Sequence, residues 1–114
     1  MKVPSADVAE VTKEKIIGYL LNPLHPDGAG KAKFFGSLGF RADEWQVFAA
    51  ALKRMVEKQP VTESVESSHG QKYIVDGPIE TPSGKSPLVR TIWIVDSGSS
   101  IPRLVTAYPR EEGV

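Results

Sequence analysis

Residues 45–61 read Trp45-Gln-Val-Phe48-Ala49-Ala-Ala-Leu52-Lys-Arg-Met55-Val56-Glu-Lys-Gln59-Pro60-Val61, and the change of period across this stretch decides the fold. Counted from Trp45, the apolar residues fall at offsets 0, 3, 4, 7, 10 and 11, which is one face of an amphipathic helix. Asp43 and Glu44 favour the helix start. Gln59-Pro60 ends it, because the residue before a proline is driven out of the helical region. From Val61 onward the pattern has period two. Four strands are predicted, over Val61 to Ser67, Gln71 to Glu80, Lys85 to Val95 and Ile101 to Tyr108, separated by short Ser, Gly and Pro segments. Such short connections join neighbours as hairpins, so the sheet is expected to be an antiparallel meander. Val89, Thr91, Trp93 and Val95 share one face of the third strand, while Arg90 interrupts the apolar residues of the other. In the fourth strand, Leu104, Thr106 and Tyr108 are expected to alternate with Arg103, Val105 and Ala107.

Upstream of the long helix lie two shorter ones. Thr12 is a good N-cap, and Ile16, Ile17, Leu20 and Leu21 form an apolar stripe that Asn22-Pro23 terminates. Residues 22–30 hold two prolines and two glycines and must form an irregular corner, with His25 at its centre. A second helix is predicted from about Gly30 to Leu38, with Phe34, Phe35 and Leu38 inward and Gly39 as its stop. Lys31 and Lys33 fall in its first turn, where the helix dipole disfavours cations, so their placement needs a reason. The expected organisation is a flexible arm over residues 1–11, one α+β domain over 12–109 and a tail over 110–114. Its fold class is three N-terminal helices packed on a four-stranded antiparallel sheet.

Composition excludes several function classes. The chain has 114 residues and no cysteine, so it has neither a disulfide framework nor a thiolate metal site. Fourteen basic and fourteen acidic side chains balance, which argues against a general polyanion coat. No apolar run is long enough to span a bilayer and no signal-peptide pattern opens the chain, so a soluble, cytoplasmic domain without membrane contact is expected. Gly28-Ala29-Gly30-Lys31 lacks the spacing and preceding strand of a phosphate loop. Two histidines without paired carboxylates make a metal site unexpected, and no cofactor motif is present.

What remains is a set of basic and hydroxyl groups suited to cleaving RNA without a metal. One group takes the 2′-hydroxyl proton, another protonates the leaving oxygen, and cations stabilise the phosphorane. His25, Lys31, Arg90 and Tyr108 are the expected catalytic groups, with Lys15, Tyr19, Lys33, Arg103 and Thr106 as substrate-binding residues. Each also has a structural reading. His25 can fix the corner through a backbone bond, the lysines can be surface charges, Arg90 can be a partly buried ion pair, and Tyr108 can be a core residue with its hydroxyl at the rim.

The elements Tyr19-Leu-Leu-Asn22-Pro23, His25-Pro26-Asp27-Gly28 and Lys31-Ala32-Lys33-Phe34-Phe35 resemble a bacterial domain family of unknown function. Val89-Arg90-Thr91-Ile92-Trp93-Ile94 and Pro102-Arg103-Leu104-Val105-Thr106-Ala107-Tyr108-Pro109 are similar to it too, so the likeness covers about residues 12 to 109. Related domains occur at the C-termini of bacterial polymorphic toxins, grouped with barnase, EndoU, colicin and RelE-like nucleases. The resemblance implies helices followed by a four-stranded sheet and a metal-independent RNase activity. Its candidate active groups are the His-Pro-x-Gly corner and basic residues, and its expected partners are RNA and a cognate immunity or antitoxin protein. A non-catalytic RNA- or protein-binding module on the same fold is the alternative.

Overall fold

The computed structural model describes residues 1–110. All of the expected C-terminal tail except Arg110 therefore lies outside the described residues. Helix α1 (Lys13–Lys15) runs without a break into a wider π turn over Ile16–Leu20, followed by α2 (Ala29–Ser37) and α3 (Trp45–Lys58). Strands β1 (Glu63–Ser67), β2 (Gly70–Pro78), β3 (Leu88–Asp96) and β4 (Pro102–Pro109) then form one antiparallel sheet in the order β1-β2-β3-β4. This is the expected α+β meander. No helix among the described residues is long and apolar enough to cross a membrane.

Local chemistry accounts for the helix boundaries. The Thr12 hydroxyl accepts the backbone N–H of Lys15 at 3.1 Å and so caps α1. Gly39 follows α2 with φ +96°, the left-handed stop that glycine adopts without a Cβ penalty. Gln59, ahead of Pro60, is extended at ψ 144° and closes α3. The long helix buries Phe48, Ala49, Leu52, Met55 and Val56 as its period requires, with Trp45 half-buried at the margin. Phe48 stacks on Phe40 with centroids 4.3 Å apart and meets Phe35 at 4.7 Å, so one aromatic cluster ties α2, α3 and their connection together. Burying each such ring contributes about 1.5–3 kcal/mol.

The helices cover one sheet face, made of Val75, Val89, Thr91, Trp93, Leu104 and Ala107, all buried. Thr91 is a fully buried polar residue that is satisfied internally, donating to the Val75 carbonyl and accepting from Trp93 Nε1, both at 2.8 Å.

Four expectations are corrected. Residues 1–11 are not a loose arm: Val3, Ala9 and Val11 are buried, and Glu10 pairs with the outer edge of β4 through Glu10 N–H to Pro102 and Leu104 N–H to Glu10. The first-helix stripe is narrower than its period implied, because the π turn leaves Ile17 and Leu21 half-buried beside fully buried Ile16 and Leu20. Phe34, expected inward, is half-buried. Strict alternation fails in β4, where Ile92 pairs with Thr106 but Trp93 pairs with Leu104, leaving Val105 as the extra residue of a bulge. Leu104 and Ala107 consequently both reach the core, while Thr106 and Tyr108 face away from it.

Candidate functional site

The corner between α1 and α2 is a fixed structure. Asn22 Oδ1 accepts the Leu24 N–H at 3.0 Å and Asn22 Nδ2 donates to the Gly18 carbonyl at 3.2 Å. His25 Nδ1 accepts the backbone N–H groups of Asp27 and Gly28 at 3.0 and 3.1 Å. The structural role anticipated for His25 is therefore realised. That geometry puts the proton of the neutral ring on Nε2, leaving Nε2 alone to meet a ligand.

Tyr19 is the centre on which the corner converges. Its ring meets the His25 ring edge-on at 4.9 Å, and the ammonium groups of Lys15 and Lys31 each lie 5.3 Å from its centroid. Lys31 also donates to the Asp27 carbonyl at 2.9 Å. This accounts for a cation in the first turn of α2: the side chain turns back onto the corner. The Tyr19 hydroxyl reaches Thr106 Oγ1 at 3.0 Å and so joins the helical unit to β4.

From Thr106 the outward face of β4 leads two residues on to Tyr108, whose cross-strand partner is Arg90. Successive residues on one strand face are roughly 7 Å apart. The Arg90 guanidinium grips Asp76 at 2.8 and 2.9 Å. Those bonds, against partial desolvation and helped by Tyr108, raise its pKa above the ordinary value, so it is a permanent cation. Arg110 Nε adds a third donor to Asp76 at 2.9 Å.

Of the expected site residues, Lys15, Tyr19, His25, Lys31 and Thr106 form one contact network, with Arg90 and Tyr108 as its continuation along the sheet. Lys33 and Arg103 stand apart. Lys33 is exposed on α2, and Arg103 sits opposite Ile94, four residues along β3 from Arg90. Arg103 is engaged by Asp96 at 2.7 and 3.0 Å. Sequence reasoning missed Asp76, which orients two arginines, and Gly28, where a Cβ would strike the Tyr19 carbonyl oxygen. Asp76 gave no signal, because its pairing with Arg90 depends on hairpin register. Gly28 stood in view within a glycine-rich corner, but its close neighbour did not.

The Arg103 bonds hold the Asp96 carboxyl below the usual carboxylate range. A depressed carboxyl stabilises the fold above its unfolded pKa, and that contribution is lost as pH falls through the folded value. An NMR titration is expected to give Asp96 a low midpoint that rises in Arg103→Gln. An unmoved midpoint would remove the pair as its cause.

The family model described as "Domain of unknown function (DUF6883)" matches residues 2–111. The fold is similar to that of a chain in a structure described as "Contact-dependent growth inhibition toxin - immunity protein complex from Klebsiella pneumoniae 342", with TM-score 0.73 and 19% identity, covering 93% of this chain and 97% of that one. At that identity the likeness is one of fold. No curated protein matches the sequence.

Proposed function

The chain belongs to the DUF6883 family, and we propose for it the activity its own site supports best: metal-independent cleavage of RNA by a toxin-like nuclease domain. The observation that carries this reading is the convergence of His25, Lys15 and Lys31 on Tyr19, next to the sheet positions of Thr106, Tyr108 and Arg90. The fold likeness to a chain of a toxin–immunity complex is consistent with it, and suggests a cognate immunity or antitoxin protein as partner.

In the proposed reaction the ribose 2′-oxygen bonds to phosphorus and the bond from phosphorus to the 5′-oxygen breaks, giving a 2′,3′-cyclic phosphate. Tyr108 relays the 2′-hydroxyl proton, passing its own phenol proton to solvent water as it accepts that one, while the Lys31 ammonium gives a proton to the departing 5′-oxygen and takes one back from water. Arg90 and His25 Nε2–H donate to the nonbridging oxygens as charge builds on them. Lys15, Tyr19 and Thr106 hold the substrate, and Lys33 and Arg103 attract flanking phosphates.

The test is RNA cleavage by the purified protein in EDTA. His25→Ala and Lys31→Ala are each expected to lower the rate by about a hundredfold or more. Lys31→Ala should leave stability within about 1 kcal/mol, whereas His25→Ala should also cost about 1–2 kcal/mol, because the Asp27 and Gly28 N–H groups lose their acceptor. Full activity in both variants would sink the assignment. A second reading, a non-catalytic RNA- or protein-binding module, draws on the His25 Nδ1 and Arg90 groups already engaged within the chain. It predicts saturable binding without turnover.

A further inference from the structure

A second cluster of donors lies away from the Tyr19 network, in a cleft of about 290 Å³ between α3 and the connection from β2 to β3. Arg54 and Lys58, one turn apart on α3, line it together with Gln59 and Ser86. Like charges at that spacing oppose each other on a helix, and an anion between them relieves the repulsion. Within the chain Glu80 supplies one, with its carboxylate 3.3 Å from Arg54 Nε and 3.8 Å from Lys58 Nζ. These contacts are long and all three side chains are largely exposed, which makes the pairing weak. Two cations against one carboxylate leave one positive charge over. Among the described residues the Gln59 amide and the Ser86 hydroxyl make no side-chain hydrogen bond that would occupy them.

The remaining wall is apolar, built from Ala51, Met55 and Pro78. Gln59 is held toward the cleft from behind: it lies across Gly77, where a Cβ would stand 2.8 Å from its Cδ. A carboxylate has two oxygens to offer such a set of donors. A phosphate monoester offers three terminal oxygens and a diester two, in either case with a tetrahedral spread that suits a guanidinium fork, an ammonium, an amide and a hydroxyl better than a planar carboxylate does. Its carbon frame would rest on the apolar wall.

We propose that this cleft is a phosphate-ester binding site, in which Glu80 is the internal competitor that the ligand displaces. The site is independent of the RNA-cleaving reading, since none of its residues belongs to the Tyr19 network.

Titration of the full chain with glycerol 3-phosphate and with a 2′-O-methyl oligoribonucleotide, followed by amide NMR shifts, tests it. Shifts are expected at Ala51, Gln59 and Ser86. Arg54→Gln should weaken binding by about tenfold. Glu80→Gln should strengthen it by about threefold, because an exposed competing ion pair is removed. Tighter binding of the oligonucleotide would identify a nucleic-acid backbone as the source of the phosphate; equal binding would identify a small ester. Both results support the site. Failure of Glu80→Gln to tighten binding, or indifference to Arg54→Gln, overturns it, and so does an equal loss in Lys53→Gln, which removes an exposed cation of the same helix from outside the cleft and would match Arg54→Gln only on a nonspecific cationic surface.

Discussion

Gly28→Ala is expected to disable the candidate site and lower stability together. An added Cβ would strike the Tyr19 carbonyl oxygen, stand 3.1 Å from the Tyr19 ring and 3.2 Å from the His25 Cβ. Two of these three neighbours are backbone or Cβ atoms that cannot swing aside, so the corner must move as a unit. Forcing extra atoms into a packed contact costs about 1–3 kcal/mol. The displacement also separates His25 and Lys31 from Tyr19, so RNA cleavage should fall below that of either single site variant. The control lies two residues on. Gly30 has open space where a Cβ would go, and α2 continues through it. Gly30→Ala should therefore stabilise the protein by up to about 1 kcal/mol through helix propensity, with the site intact. Equal thermal shifts and activities for the two alanine variants would show that the Gly28 contact does not hold the corner.

Asp76→Ala should have the next largest effect. Asp76 accepts three N–H donors from Arg90 and Arg110, and its side chain is only 13% exposed, against 26% for that of Arg90. Removing the carboxylate leaves a partly buried guanidinium without its counter-ion, a loss of about 2–3 kcal/mol. Arg90 would also lose the orientation that points it along the same face as Tyr108, and cleavage should drop with it. Arg110→Gln removes one exposed donor and should cost less than about 1 kcal/mol. A double-mutant cycle over Asp76 and Arg90 measures their coupling, and a coupling energy near zero would show that the pair does not position the arginine.

Much of this architecture was legible in the order of residues. Phe48, Leu52 and Val56 announce an amphipathic helix through spacing alone, and the short segments between the strands leave few topologies besides a meander. The cluster of Tyr19, His25 and Lys31 was legible as well, because it spans thirteen consecutive residues and local chain geometry brings them together. The orientation within that cluster was not. Spacing by itself does not assign the Asp27 and Gly28 N–H groups to His25 Nδ1, and it gives no cause for a π turn at Ile16–Leu20.

The class of fold, the helix faces and the identity of the polar groups available for chemistry follow from side-chain period and composition alone. Tertiary structure decided which of those groups meet. Arg90 finds Asp76 and Tyr108 through strand register, which accumulates along two hairpins and shifts by one residue at the Val105 bulge. The bulge turns Thr106 toward Tyr19 and Ala107 toward the core, so one extra residue in β4 decides that the helical corner meets the sheet at Thr106.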